Sequence, residues 1–541
     1  MKRILLLLLT VFVSQFNYAQ EDALVFLEAK DPAVVSQALA NPLTILTQEA
    51  IDRKQLQGTS IDERDVPLNE TYKNQINNAT GITVYAKSKW MNAVYVRGSI
   101  SNINDLLNLE FVTEVEFTDK DLNFRKPKGH TPSKLKIENE QSRIEYNYGD
   151  AANQTEMLAV DFLHENDFTG EGMVVAFMDN GYPNVMSNPA YATLRNEGRL
   201  LGGYDFVDRE PNFEGTGSHG ASTFSDAAAF LNGEFVGTAP DASYYLFVTE
   251  DGFNESPLEE ALWVEALERA DSLGVDVVNT SLGYQDFDDP DYDHSYEDLD
   301  GQTTIGARGA NHAFDKGMIL VTSAGNDGGG FTFVGTPGDS PGMLTIGAVD
   351  FNGDYAGFSS IGPTVDGRVK PDVMAQGEFA AIVDQFGGVT FSNGTSFSSP
   401  IMAGSVASFW QVRPQTSNGE IMQLIRESAS MYSNPSDEMG YGIPDFEDAY
   451  NALLQLSIED EMLENNFALY PNPVTTEVNI SFPKRYTEAT FYLYNVLGEQ
   501  VKKARISSQN NQVDVSYLSA GVYIATIQTG TEKTSFKLIK K

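Results

Sequence analysis

Three kinds of hydrophobic patterning follow one another along the chain. From residue 21 to about 120, PAVVSQALANPLTILTQEAI reads as a helix, GITVYAKSKW and MNAVYVRG as paired strands, NINDLLNLE as a second helix and FVTEVEF as an alternating strand. That pattern predicts a small α+β unit. From about 150 to 455, short continuous apolar runs rich in β-branched residues (GMVVAFM, YYLFV, GVDVVNTSL, GMILVTSAG, GMLTIGAV) are separated by helical stretches such as PLEEALWVEALERADSLG. Runs of that kind belong to a parallel sheet covered by helices on both faces, where functional groups collect at strand ends. From Phe467 onward Val478, Ile480 and Phe482 alternate with Asn479 and Ser481, and short strands recur around LYNVLGEQV, VDVSYL and GVYIATIQ. This last pattern predicts a small β-sandwich.

The joints between these regions carry their own signals. FRKPKGHTPSKLK, residues 124–136, is polar and basic with two prolines, an exposed linker of the kind proteases cut. At the N-terminus Lys2 and Arg3 precede the apolar run Ile4 to Val13, and Ala19 closes the segment. The run is too short to span a bilayer and reads as a secretory signal peptide. The expected division is a signal peptide at 1–19, an α+β unit at 20–120, a linker with the maturation site at 121–150, the α/β unit at 151–455, a linker at 456–466 and the β-sandwich at 467–541.

Composition narrows the function. The chain of 541 residues has no cysteine, which excludes disulfides, a thiol nucleophile and a thiolate metal site. Its 36 basic and 76 acidic residues give a formal net charge of −40, which argues against nucleic acid as a partner. Eight carboxylates crowd into DFDDPDYDHSYEDLD, residues 286–300. This run reads as a solvated loop, or as a structural Ca²⁺ site without EF-hand spacing.

The stretch NGTSFSSP, residues 393–400, has a Thr and three Ser ahead of the apolar IMAGSVASFWQV. By itself it reads equally as a capped helix entry, with Thr395, Ser398 and Ser399 as caps. A nucleophilic hydroxyl needs a base, an orienting acid and oxyanion donors. Asp179 closes the strand GMVVAFM, where a carboxylate can orient an imidazole or simply end a strand in a turn. Of the five histidines, His130 lies in the linker, His164 and His312 in helices and His294 in the acidic run. His219 sits in GTGSHGASTFSDAAAF, where Gly220 and small neighbours leave room for another backbone or a substrate. Asn326 in SAGNDGGG follows the strand GMILVT and can aim an amide donor at a carbonyl oxygen, or serve as a turn residue. Ser396 is the chosen nucleophile, because its own N–H at the helix start points where an oxyanion would form.

The order Asp179, His219, Asn326, Ser396, with VVAFMDNG, SHGA, SAGNDG and NGTSFSSPIMAG around these residues, resembles the subtilase family of serine endopeptidases. FSSIGPTVDGRVKPDVMAQG and GYGIPDFEDAY extend the similarity to roughly 300 residues. The resemblance implies a subtilisin-like fold and peptide-bond hydrolysis by an Asp179–His219–Ser396 triad with Asn326 as oxyanion donor. It also implies a cleft walled by Ser281, Leu282, Gly283, Ala324 and Gly325, with no cofactor required for the chemistry. Asn180 stands where the family usually has a small hydroxyl residue, and Ala221 where Thr usually follows His-Gly. WMNAVYVRG and its surroundings resemble subtilase propeptides, which implies an inhibitor held in the cleft until cut. LYPNPVTTEVNISFP, LYNVLGEQV and LSAGVYIATI resemble sorting domains of the type IX secretion system, which implies export to the medium or cell surface. The expected partners are protein or peptide substrates, the chain's own propeptide and the secretion machinery, and the expected state is a monomer. An α/β-hydrolase esterase would require G-x-S-x-G and the reverse order of triad residues. An adhesin on an inactive scaffold is the non-enzymatic alternative.

Overall fold

The computed structural model describes residues 20–123, 146–328, 331–465, 467–483, 485–530 and 532–541. The expected signal peptide, His130, Gly329, Gly330 and the stretch 124–145 of the expected linker lie outside these residues. The described residues fall into two compact units, one up to Ala449 and one from Tyr450 to Lys541.

In the first unit, β1 (Glu21–Leu27), β2 (Ile82–Ser88), β3 (Ala93–Gly98) and β4 (Val112–Phe117) form an antiparallel sheet in the order β2-β3-β1-β4. The single helix expected over PAVVSQALANPLTILTQEAI is broken into Pro32–Ala40, a 3₁₀ turn at Pro42–Thr44 and Gln48–Gln57. The cause is Pro42, which lacks an N–H and pushes Asn41 into an extended conformation. Strand β1 and the helix Glu70–Asn77 are further elements that the hydrophobic pattern did not single out.

The central sheet contains β5 (Val174–Asp179), β6 (Leu200–Asp205), β7 (Ser243–Val248), β8 (Val277–Thr280), β9 (Ile319–Ser323), β10 (Met343–Val349) and β11 (Val373–Gln376). All neighbours are parallel, in the order β11-β10-β9-β8-β5-β7-β6. The chain leaves β5 toward β6 and β7 on one side and later returns to β8 on the other, so the ends of β5 and β8 flank a topological switch point. Alternation along β5 divides its faces. Ala176 and Met178 join a core with Trp263, Ala266 and Leu267 of helix α2 (Leu258–Leu273), while Phe177 packs edge-on against Phe224 of helix α1 (His219–Ala228).

Helix α2 is covered by the N-terminal sheet: Leu24, Ala86, Trp90 and Tyr95 share its core. Around that core the contacts are ionic. Glu268 accepts hydrogen bonds from Ser88 Oγ (2.6 Å), Lys89 N (2.8 Å) and Trp90 N (3.0 Å). Asp271 holds Arg53 and Lys54, and Lys316, after helix α3 (Ile305–Asp315), holds Asp65 at 2.7 Å.

The second unit has one antiparallel sheet of Ala468–Tyr470, Glu477–Ser481 and Gln512–Asp514, and another of Glu488–Asn495, Gln500–Ser507, Gly521–Thr529 and Glu532–Lys540. Val478, Ile480, Phe491, Leu493 and Ala525 are buried in a core that the two sheets share. LYNVLGEQV, expected as a strand, straddles a hairpin whose turn Val496–Glu499 includes Gly498 at φ 81°. Among the described residues no helix is long and apolar enough to cross a membrane.

Candidate active site

Asp179 is the last residue of β5, 1% exposed, so its carboxylate is kept from water and relies on local donors. Oδ1 accepts from Asn180 N (2.8 Å), and both oxygens lie 2.9 Å from His219 Nδ1. His219 opens α1, and Gly220 lets that helix come close: a Cβ there would stand 2.6 Å from Gly181 O and 2.8 Å from Asp179 Cβ. The room at Gly220 is filled by another backbone. The Asp179 charge raises the His219 imidazole above its ordinary 6.5, against the opposing effect of burial.

Ser396 lies in the first turn of α4 (Thr395–Gln411), a helix buried along nearly its whole length, its serines included. Gly394, at φ 150° and ψ 149°, is the N-cap and supplies no side-chain bond, so the expected Ser/Thr capping does not occur. The hydroxyls are used elsewhere. Ser398 Oγ donates to Thr395 O, and Ser399 Oγ donates to Asn279 Oδ1 at 2.8 Å. Pro400 has no N–H to give the carbonyl four residues earlier, so Ser396 O needs an outside donor. Ser281 Oγ is that donor, at 2.8 Å, and is itself held by Asn279 Nδ2 at 2.9 Å. In return Ser396 Oγ donates to Ser281 O at 3.1 Å rather than to the imidazole.

The strand register joins these parts. Thr280 on β8 lies opposite Met178 on β5, so the next residues, Ser281 and Asp179, leave the sheet side by side. Asp179, His219, Ser281, Leu282 and Gly283 line one cavity of about 450 Å³. Glu250, Glu255 and Glu259 also line it: burial pushes Glu250 up to about 8 and, with the charges of Glu250 and Glu255, pushes Glu259 up to about 10. Ala324 and Gly325 are not among the lining residues. Ala324 is 1% exposed with its N–H on Ile346 O, and Gly325, at φ 106°, gives its N–H to Thr395 Oγ1. Asn326 Oδ1 accepts from Thr395 N (2.9 Å) and Thr395 Oγ1 (3.0 Å). The amide's donor end is thereby left beside Gly394, where a Cβ would be 3.6 Å from Nδ2.

Residues 170–442, just over half of the chain, match the family model described as the subtilase family. The chain belongs to that family. Residues 22–135 of this subtilase match a peptidase S8 propeptide domain of Bacteroidota, and residues 468–541 a secretion system C-terminal sorting domain, the type IX export address. Serine protease AprX of Bacillus subtilis (strain 168) is 29% identical over 295 residues, 49% of this chain and 63% of AprX. Subtilisin NAT of Bacillus subtilis subsp. natto is 29% identical over 279 residues, 50% of this chain and 64% of its own. The matches span less than two thirds of either relative. A crystal structure of MycP1 with the N-terminal propeptide removed aligns over 55% of this chain and 96% of its own, at 23% identity and a TM-score of 0.44.

Among the described residues, the other histidines are buried or half-buried away from the site. His164 joins Tyr148 Oη and Thr238 O, burial pushes His312 down to about 4, and His294 meets Glu260 at 2.6 Å. The acidic run is neither purely solvated nor a metal cluster. Asp288, Asp289, Asp293 and Asp300 accept backbone N–H groups, Tyr292 donates to Glu21, and Asp298 pairs with Lys120, so the run seats the propeptide sheet. No group of three His, Asp or Glu among the described residues is arranged to hold a metal. Two features of the site escaped the sequence reading, which named Ser281 only as a cleft wall and did not name Thr223. Ser281 acts through its hydroxyl as well as its backbone, and the signal for this was Pro400 four residues after Ser396. Thr223 Oγ1 donates to Asp179 Oδ2 at 3.2 Å, and the signal was its spacing of four from His219 on a helix.

Proposed function

We propose that this subtilase is an exported serine endopeptidase, with Ser396 as nucleophile, His219 as general base, Asp179 as the orienting acid, and Asn326 Nδ2 with the Ser396 N–H as oxyanion donors. The observation that supports this reading is that Asp179, His219 and Ser281 line one cavity, that Ser281 exchanges hydrogen bonds with Ser396, and that the ring of Phe397, next to Ser396, lies 6.0 Å from the His219 ring. Rotation of Ser396 about χ1 exchanges the Ser281 carbonyl for the imidazole, an adjustment of the kind that substrate binding completes. The hydroxyl then attacks a peptide carbonyl while His219 takes its proton. Asp179 holds the Nδ1–H and stabilises the imidazolium. Charge growing on the carbonyl oxygen meets Nδ2 of Asn326 and the first N–H groups of α4, donors already in place. His219 next protonates the leaving amine, and water repeats the cycle on the acyl-enzyme. The chemistry needs no cofactor.

Residues 281–283 have left the sheet and have backbone to offer an extended substrate, while Ala324 and Gly325 back the oxyanion side. The propeptide, 20–120, is the inhibitor, removed by a cut between 121 and 150; the sorting domain, 467–541, engages the secretion machinery after the signal peptide, 1–19, has directed export. The catalytic unit runs from 151 to 455 and works as a monomer. A fluorophosphonate should label Ser396 stoichiometrically, with casein cleaved in preference to simple esters, and Ser396→Ala should lose both label and cleavage. An unlabelled, properly folded wild type would favour the adhesin reading.

A further inference from the structure

We infer that Thr223 is a positioning residue for the Asp179–His219 pair and takes the place of the small hydroxyl residue that the family usually carries directly after the aspartate, here Asn180. The inference rests on the proposed catalytic reading of that pair.

Asp179 has four contacts from donors: Asn180 N and His219 Nδ1 on Oδ1, His219 Nδ1 and Thr223 Oγ1 on Oδ2. Thr223 is the side-chain hydroxyl among them. It is fully buried, one turn after His219 on the same face of α1, so the helix that delivers the imidazole also delivers the hydroxyl. Its rotamer is limited by β-branching, and its single O–H is shared between Asp179 Oδ2 and Gly220 O, each at 3.2 Å.

Asn180 does not serve Asp179 with its side chain. The amide is packed over the turn at Gly217, where a Cβ would stand 2.4 Å from Asn180 Cγ, and Asn180 Oδ1 has no hydrogen-bond partner. The other ionisable groups that face Asp179 are Tyr182 and Glu250. Tyr182 Oη donates to Phe247 O, and Glu250 is held by Thr249 and Tyr284, so neither substitutes for Thr223.

A hydroxyl on Oδ2 spreads the negative charge of the carboxylate and fixes its plane against the imidazole. Without it the carboxylate holds the imidazolium more tightly and in a looser geometry. Thr223→Val should therefore lower kcat about tenfold, the size of one hydrogen bond, with KM unchanged. The acidic limb of the kcat/KM profile should move up by about half a unit. Thr223→Ser should return both values to wild type, and the Asn180→Ser/Thr223→Val double variant should recover most of the loss by restoring a hydroxyl at the usual place.

If kcat and the acidic limb stay unchanged in Thr223→Val, the inference is wrong. It is equally wrong if Thr223→Ser fails to rescue, since the methyl group and not the hydroxyl would then matter. Thr223→Ala gives the same readout should the valine variant not accumulate. Fluorophosphonate labelling of the wild type is measured first, so failure of the catalytic reading is seen separately from failure of this one.

Discussion

Buried polar groups gather in two regions of the first unit, and they are treated in opposite ways. At the strand ends nearly every one is partnered. Asp179 has donors on both oxygens, and the chain Ser399–Asn279–Ser281–Ser396 closes without a loose end; Asn180 Oδ1 is the exception. Between α2 and the propeptide sheet the groups are full charges, each 5% exposed or less: Arg53, Lys54, Asp65, Asp271 and Lys316. There Arg53 Nε and Nη1, Asp65 Oδ1 and Asp271 Oδ2 lack hydrogen-bond partners. A largely satisfied hydrogen-bond network around one carboxylate is rigid, whereas buried ion pairs recover little beyond their desolvation cost and fix register more than stability. On the proposed function, the first arrangement suits a constellation that persists through every turnover, and the second suits a segment that docks in one orientation and later leaves.

The largest effect should separate the regions from the catalytic side. Asn326→Ala removes the proposed oxyanion donor and should cut kcat about 10² to 10³-fold, while affinity for the separately produced propeptide stays within about twofold. Comparable losses in both measurements would show that the site and the interface are one cooperative network. The converse change is Asp271→Ala, which leaves Arg53 and Lys54 facing each other with one carboxylate fewer. Stranding buried charge costs about 3 kcal/mol, so the propeptide inhibition constant should rise roughly a hundredfold with kcat unaltered. Replacing Arg53, Lys54 and Asp271 together by apolar residues of similar volume should restore tight inhibition. If the triple variant binds as poorly as Asp271→Ala, the charges are needed for affinity itself.

The chain's patterning foretold one of these regions far better than the other. Continuous apolar strands announced the parallel sheet, while strand ends and Gly-bearing turns left Asp179, His219, Asn326 and Ser396 open to structural readings until the family resemblance singled them out. Gly220 is a local mark of the site: its missing Cβ is required by the contact with Asp179. The propeptide seat left no such mark. Its pairs join residues 173 to 271 positions apart, such as Lys120 with Asp293 O and Tyr292 with Glu21, and an acidic residue looks the same in sequence whether it faces water or a lysine. The acidic run was therefore legible as charge and not as a docking surface. Likewise Ser398 and Ser399 carry a capping signature, yet Ser398 gives its hydroxyl to Thr395 O within the helix and Ser399 gives its hydroxyl to Asn279 across the fold.

The smallest effect concerns pH and again distinguishes the regions. Glu268 in the assembled unit is pushed up to about 7 by burial, against the pull of Lys89 and the donors Ser88, Lys89 N and Trp90 N. With the propeptide released, as proposed, this side chain would meet water and return toward an ordinary glutamate value. The complex thus holds a proton that the separated parts release: it is favoured at low pH and weakened as pH rises from about 4.5 through 7. Propeptide inhibition should weaken about tenfold between pH 5 and 8, and Glu268→Gln, which cannot titrate, should flatten that slope. Catalysis runs the other way at the imidazole. Because Asp179 raises His219, kcat/KM should climb with pH through a value above 6.5. Inhibition that tightens with rising pH would mean that Glu268 is ionised in the complex and that its three donors outweigh its burial, bringing the seat closer in character to the largely satisfied network at the strand ends.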